Sequence, residues 1–173
     1  MKKPFLLLLS SFLTAAIILM ACQKDNNDAG STTLKVRMTD APINADFVNV
    51  DIREVKVNFR DDSSGWVSLN TVAGIYDLLG LQNGVDTLLA VGVIPGNSVK
   101  EIRFVLGPNN SIVVNGVNYP LTIPSGSESG LKLKINKQLS GPVDSLLIDF
   151  DAALSIHQTG NGEYKLKPVL KIK

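Results

Sequence analysis

FVNVDIREVKVNF, residues 47–59, decides the fold. Val48, Val50 and Ile52 occupy alternate positions, and Val55, Val57 and Phe59 repeat the alternation on the opposite parity. Successive side chains of a strand point to opposite faces, so an apolar period of two marks a strand with one buried side. The change of parity at Arg53-Glu54 predicts a β-bulge or a strand break, because one extra residue re-aims every side chain beyond it.

The same period recurs outward from this stretch. Leu34, Val36 and Met38 alternate before it, and Ile102, Phe104 and Leu106 alternate after it. Leu131, Leu133 and Ile135 follow, interleaved with lysines, then Leu146, Ile148 and Phe150, then Tyr164, Leu166, Leu170 and Ile172. The last set reads as one regular C-terminal strand. Asn115-Gly116 between Ile112-Val113-Val114 and Val117-Asn118-Tyr119 predicts a two-residue hairpin, since a type I′ turn needs positive φ at both central positions. Asp61-Asp62-Ser63-Ser64-Gly65 is turn chemistry ahead of a short strand, Trp66 to Leu69. The helical candidate is one turn at Ile75 to Leu79, closed by Gly80. Many short strands between Gly, Pro and Asn turns predict an all-β chain, a single antiparallel β-sandwich of immunoglobulin-like or transthyretin-like type with one short helical turn, over residues 33–173.

The N-terminal end carries the address. Lys2 and Lys3 precede an apolar run from Phe5 to Met20, which stops at Ala21 and the chain's single cysteine, Cys22. A charged start, an apolar middle and a small-residue cleavage point describe a secretory signal peptide. Leu19-Met20-Ala21-Cys22 resembles the bacterial lipoprotein signal, in which the cysteine is lipidated and becomes the new N-terminus. That resemblance implies a signal peptide at 1–21, a lipidated Cys22, and attachment to the outer membrane on its periplasmic side or at the cell surface. A plain transmembrane anchor fits less well, because the run is shorter than about 20 residues and holds Ser10, Ser11 and Thr14. A plain secreted protein would leave an odd thiol without a partner. Residues 22–32 read as the lipidated cysteine and a flexible tether, with too little apolar surface to offset ordering. Lys24-Asp25 with Asp28 resembles a short acidic surface-export signal; an ordinary polar linker reads equally well.

Charge excludes one class of partner. The chain holds 17 basic and 16 acidic residues; two lysines and no acids leave with residues 1–21, so 15 basic face 16 acidic, a formal charge of −1. Nucleic-acid binding favours strongly basic patches, so no nucleic acid is expected.

Six motifs in order carry a family resemblance. They are Thr39-Asp40-Ala41-Pro42; Asp77-Leu78-Leu79 with Asn83-Gly84; Ile102 to Gly107; Pro124-Ser125-Gly126 leading into Gly130 to Leu133; Asp149-Phe150-Asp151-Ala152; and Gly160 to Val169. This order resembles the exported bacterial lipoprotein family known as domain of unknown function 4382, over nearly all of residues 33–173. The resemblance implies fold and address and assigns no activity. Ile94-Pro95-Gly96 entering a strand is similar to transthyretin-like and carboxypeptidase-regulatory-like sandwiches, although Val99 stands where those usually have an aromatic residue.

Catalytic groups are sparse. Gly126-Ser127-Glu128-Ser129-Gly130 has glutamate where a nucleophile elbow needs serine. His157 is the single histidine, a general base at most and too few for an ordinary zinc site. Asp149 and Asp151 share one strand face opposite Ile148 and Phe150, and with Asp40 they form a candidate calcium site, since calcium takes carboxylate and carbonyl oxygens. They equally suit hydrogen bonds from a neighbouring turn. Calcium is thus the one candidate cofactor. Three functions compete: a non-enzymatic binding or adhesion module for glycan or envelope protein, a structural or assembly subunit of a pilus-like complex using the C-terminal strand, and, least supported, a hydrolase. Trp66 is either a core residue or a sugar platform.

Overall fold

The computed structural model describes residues 30–124 and 130–173; the signal peptide, Cys22, nearly all of the tether, and Ser125 to Ser129 lie outside the described residues. Among the described residues, fourteen strands run in chain order. The first half holds β1 (Ser31–Thr39), β2 (Phe47–Asn58), β3 (Trp66–Ser68), β4 (Asn70–Thr71), β5 (Gly74–Asp77), β6 (Thr87–Pro95) and β7 (Ser98–Leu106). The second holds β8 (Ser111–Val114), β9 (Val117–Thr122), β10 (Leu131–Gln138) and β11 (Val143–Phe150), then β12 (Ile156–Gln158), β13 (Tyr164–Leu166) and β14 (Leu170–Ile172). The smaller sheet has the order β14-β11-β1-β6-β4; the larger runs β10-β7-β2-β8-β9-β13-β12, with β3 and β5 also on β2.

The alternating residues form the core, as expected. Leu34, Val36 and Met38 of β1 and Leu146, Ile148 and Phe150 of β11 are fully buried, with Val48, Val50, Ile52, Val55 and Val57 of β2 and Ile102 and Phe104 of β7. They belong to one apolar cluster, each side chain contributing about 1.5–3 kcal/mol by leaving water. The parity change in β2 is a bulge: the register against β7 shifts between Ile52 and Glu54, and Arg53 turns outward. The Asn115-Gly116 turn has φ of 51° and 75°, the type I′ signature, and joins β8 to β9.

Three expectations are corrected. The sheets are mixed rather than purely antiparallel: β1 runs parallel to β11 from Thr33–Val143 to Thr39–Asp149, and β13 runs parallel to β9. The Ile75–Leu79 turn is not a helix of its own. Gly74–Asp77 pairs with β2, and a single 3-10 turn, Leu78–Leu81, follows with Asp77 as its cap. The four-residue α-turn, α1, instead spans Ala152–Ser155 and is capped by Asp151.

The third correction concerns Tyr164 to Ile172, which is two strands in different sheets. β13 joins β9 and β12, whereas β14 joins β11. Pro168 has no N–H to give a ladder. The buried Ser155 takes over the backbone on both sides of it: its carbonyl accepts from Lys167 N–H at 2.8 Å and its hydroxyl oxygen from Val169 N–H at 2.7 Å. The chain therefore crosses from one sheet to the other at Ser155.

Candidate functional site

The candidate calcium residues meet at one end of the smaller sheet. Thr39 and Asp149 are register partners, so Asp40 follows directly at the end of β1. The loop after β5 closes over them: Thr39 Oγ1 donates within 2.8 Å of the Leu81 and Val85 carbonyls, and Asp40 N–H donates to Leu81 at 3.0 Å. Asp40, Asp149 and Asp151 are all buried. They differ in their donors. Asp151 leaves the strand to cap α1, accepting from Leu154 N–H at 3.0 Å and from Lys171 Nζ at 2.6 Å. Burial works against its ionisation, but Lys171 and the capping N–H outweigh it and hold the carboxyl below the usual range. In return Asp151 raises the Lys171 ammonium. Asp149 pairs with Lys173 at 3.2 Å and keeps Oδ1 without a partner.

Among the described residues, no lysine pairs with Asp40. Its Oδ1 accepts from Ala152 N–H at 2.9 Å, while Oδ2 and the adjoining Gln82 Nε2 each lack a partner. Burial pushes its carboxyl up to about 6, opposed by the Ala152 N–H, the adjacent Gln82 amide and the Ala41 N–H, and reinforced by the neighbouring Asp149 charge. The two outer aspartates thus already hold ammonium groups where a cation would sit. Among the described residues, no three His, Cys, Asp or Glu side chains come close enough together to hold a metal ion.

The larger sheet carries a second polar centre that the sequence reading missed. Between β7 and β8 the partner strand of β2 is interrupted by Gly107 to Asn110, opposite Asp51. Gly107 N–H donates to the Asp51 carbonyl at 2.7 Å, and Asn110 Oδ1 accepts from Asp51 N–H at 2.9 Å. Asp51 Oδ2 accepts from Arg53 Nη2 at 2.7 Å and from Asn109 N–H at 3.2 Å, leaving Oδ1 buried without a partner. A Cβ on Gly107 would stand 2.5 Å from Arg53 Nε and closer still to Asp51 Oδ2, so only glycine fits. The available signals were the Gly-Pro-Asn-Asn turn chemistry and an acid–arginine pair two apart on one strand face.

Beside this knot the surface is concave. A cleft of about 510 Å³ lies along Gly107, Pro108, Asn110, Pro120 and Thr122. A second, of about 400 Å³, is lined by Asn49, Asn109, Ser111, Asn118 and Pro120 with Ile75. A third, of about 200 Å³, opens where the Gly160–Glu163 turn approaches Tyr119 and Tyr164, whose rings are 5.1 Å apart and tilted by 53°. Pro120 borders all three.

The other sequence candidates lie elsewhere. His157 is exposed on β12, opposite Lys165 of β13. Trp66 is half-buried with the Arg103 guanidinium 4.4 Å from its ring, a cation–π contact on one face. Cys22 and the glutamate-centred loop fall outside the described residues.

Among the described residues, the architecture is that of a two-sheet, all-β domain with mixed sheets and no closed barrel. The chain belongs to the family described as domain of unknown function (DUF4382), whose model matches residues 31–168. No curated protein and no solved structure matches it.

Proposed function

We propose that the protein is a lipid-anchored cell-envelope module that binds a glycan or an envelope protein and carries out no chemistry on it. The observation that supports this most is the convergence of three clefts on Pro120, two of them lined by amide, hydroxyl, proline and aliphatic side chains. Such linings offer paired donors and acceptors on a fixed scaffold, the usual form of a recognition surface. The anchor is the lipid on Cys22, with the outer membrane as address and a tether that ends at residue 30, because Ser31 and Thr32, expected in the tether, pair with β6 as the start of β1; the formal charge of −1 after residue 21 speaks against a nucleic-acid partner.

Two measurements test this reading. Cys22→Ser should move the protein from the detergent phase to a soluble or uncleaved form; a variant that matures and partitions like wild type removes the anchor. The full chain, offered a hydrolase panel beside glycan and envelope-protein arrays, should bind without turnover. Turnover lost on changing His157 or Asp151 would replace the module reading with an enzyme.

A further inference from the structure

We propose that the asparagine-lined cleft on the outer face of the larger sheet binds a neutral, uncharged polysaccharide chain, an inference that rests on the binding-module reading and names its ligand class. The register builds the cleft. Asn49 of β2, Ser111 of β8 and Pro120 of β9 are partners in one row, and Phe47, Val113 and Asn118 form the next. Ile75 of β5 stands opposite Asp51 in the row beyond, and Asn109 comes from the interruption between β7 and β8. All of these lie on the parity opposite the buried Val48, Val50 and Ile52.

The lining is polar without being charged. An amide presents a donor and an acceptor side by side, which matches neighbouring hydroxyls of a sugar ring, and a hydroxyl such as that of Ser111 serves in either sense. Ile75, Pro108 and Pro120 supply flat apolar surface for the C–H face of the ring. Nearby carboxylates are already engaged: Asp51 by Arg53, Asp46 by Gly116 N–H at 2.8 Å, and Asp77 by the N–H groups of Val48 and Leu79. Asp51 itself is fully buried and lines neither cleft, so no free carboxylate faces the ligand from it. An anionic chain would meet no cation here except Arg53, which Asp51 holds.

From Asn118 to Thr122 β9 runs about 13 Å at about 3.3 Å per residue, so the two larger clefts on either side of Pro108 and Pro120 accept a short run of linked sugars. The chain, not a single sugar, is the ligand.

The test uses the full chain in detergent micelles on an array of neutral oligosaccharides (glucan, mannan, xylan and galactan fragments), anionic ones (polygalacturonate, alginate) and unmodified peptides. At least one neutral class should bind, more tightly as the fragment lengthens. Asn118→Ala should weaken that binding about tenfold while melting like wild type, and Asn49→Ala, which also removes the Asn49 Nδ2 hydrogen bond to Ser111 Oγ at 3.2 Å, should weaken it to a similar extent. Lys134→Ala, on β10 at the sheet's far edge, should leave it unchanged. Raising salt from about 50 to 500 mM should have little effect, since no charges are paired. Retention of anionic chains only, or neutral binding indifferent to both asparagine variants, overturns the proposal. Peptide binding with no glycan retained overturns it too and leaves the module reading standing, whereas cleavage of a retained glycan defeats the module reading itself.

Discussion

Asp51 and Asp40 are two buried carboxylates in opposite sheets, 0% and 2% exposed, each with one oxygen lacking a hydrogen-bond partner. Their difference is a cation. Asp51 receives Arg53 from its own strand two residues on, together with a backbone N–H from the loop it organises. Asp40 receives one backbone N–H and sits beside the charge of Asp149, and its carboxyl rises to about 6. Burial sets the penalty for a charge; the donors brought to it decide whether it stays charged. The first carboxyl is paired with a guanidinium; the second, buried beside another carboxylate, is raised.

The sharpest way to break the Asp51 centre is Gly107→Ala. The added methyl has no space between Asp51 and Arg53, so either the knot opens or the β7–β8 interruption shifts. A loss of about 3 kcal/mol is expected from the denaturant midpoint. Asp51→Ala should follow at about 2 kcal/mol, because it strands the Asn109 N–H and the Arg53 guanidinium.

Asp40→Asn should act in the opposite direction. The unfolded carboxyl titrates near 3.8 and the folded one near 6, so across that window the folded state holds a proton that the unfolded state has released. Stability from this group is complete below the unfolded value and is lost as pH rises through about 6. Asparagine keeps an acceptor for Ala152 N–H and carries no charge. The variant should gain about 1–2 kcal/mol near neutrality and lose the downward slope between about pH 4 and 6. An unchanged slope would mean that another group titrates there.

The smallest effect should come from calcium. With Lys171 and Lys173 on Asp151 and Asp149, the melting temperature in millimolar calcium and in chelator should agree within about 1 °C. A rise that Asp149→Asn abolishes would mean that the cation displaces the lysines and that Asp40, Asp149 and Asp151 form the site the spacing suggests.

What the sequence made legible was local. The alternation of β1 and β11, the parity change at Arg53-Glu54 and the Asn115-Gly116 turn are written in neighbouring residues, and each appears where expected. Pairing between distant segments was not. Nothing near Leu34 says that it lies parallel to a strand more than a hundred residues on. Tyr164 to Ile172 keeps one period through Pro168, yet Ser155, a small polar residue in a different segment, decides that the chain changes sheets there. Asp149 and Asp151 share a parity, but Asp151 is the first residue past β11 and turns to cap a helix. Asp51 falls on the outward parity of β2 and is buried by a loop that arrives from residues 107–110. The asparagine cleft is likewise assembled from four separate segments, so no spacing in the chain could announce it.

The place of β1 in the smaller sheet has a mechanical consequence. The tether of the proposed anchor leads into Ser31, and β1 is not an edge: β6 lies on one side and β11 on the other. A pull from the membrane, resisted by a ligand held on the larger sheet, runs along β1 and loads both of its ladders in shear, so many bonds share the force at once. The same force on the three-residue edge strand β14 would peel its bonds one after another. Rupture under load is governed by the unfolding rate rather than by equilibrium stability. A pull through the proposed tether would therefore enter the domain at a central strand rather than an edge.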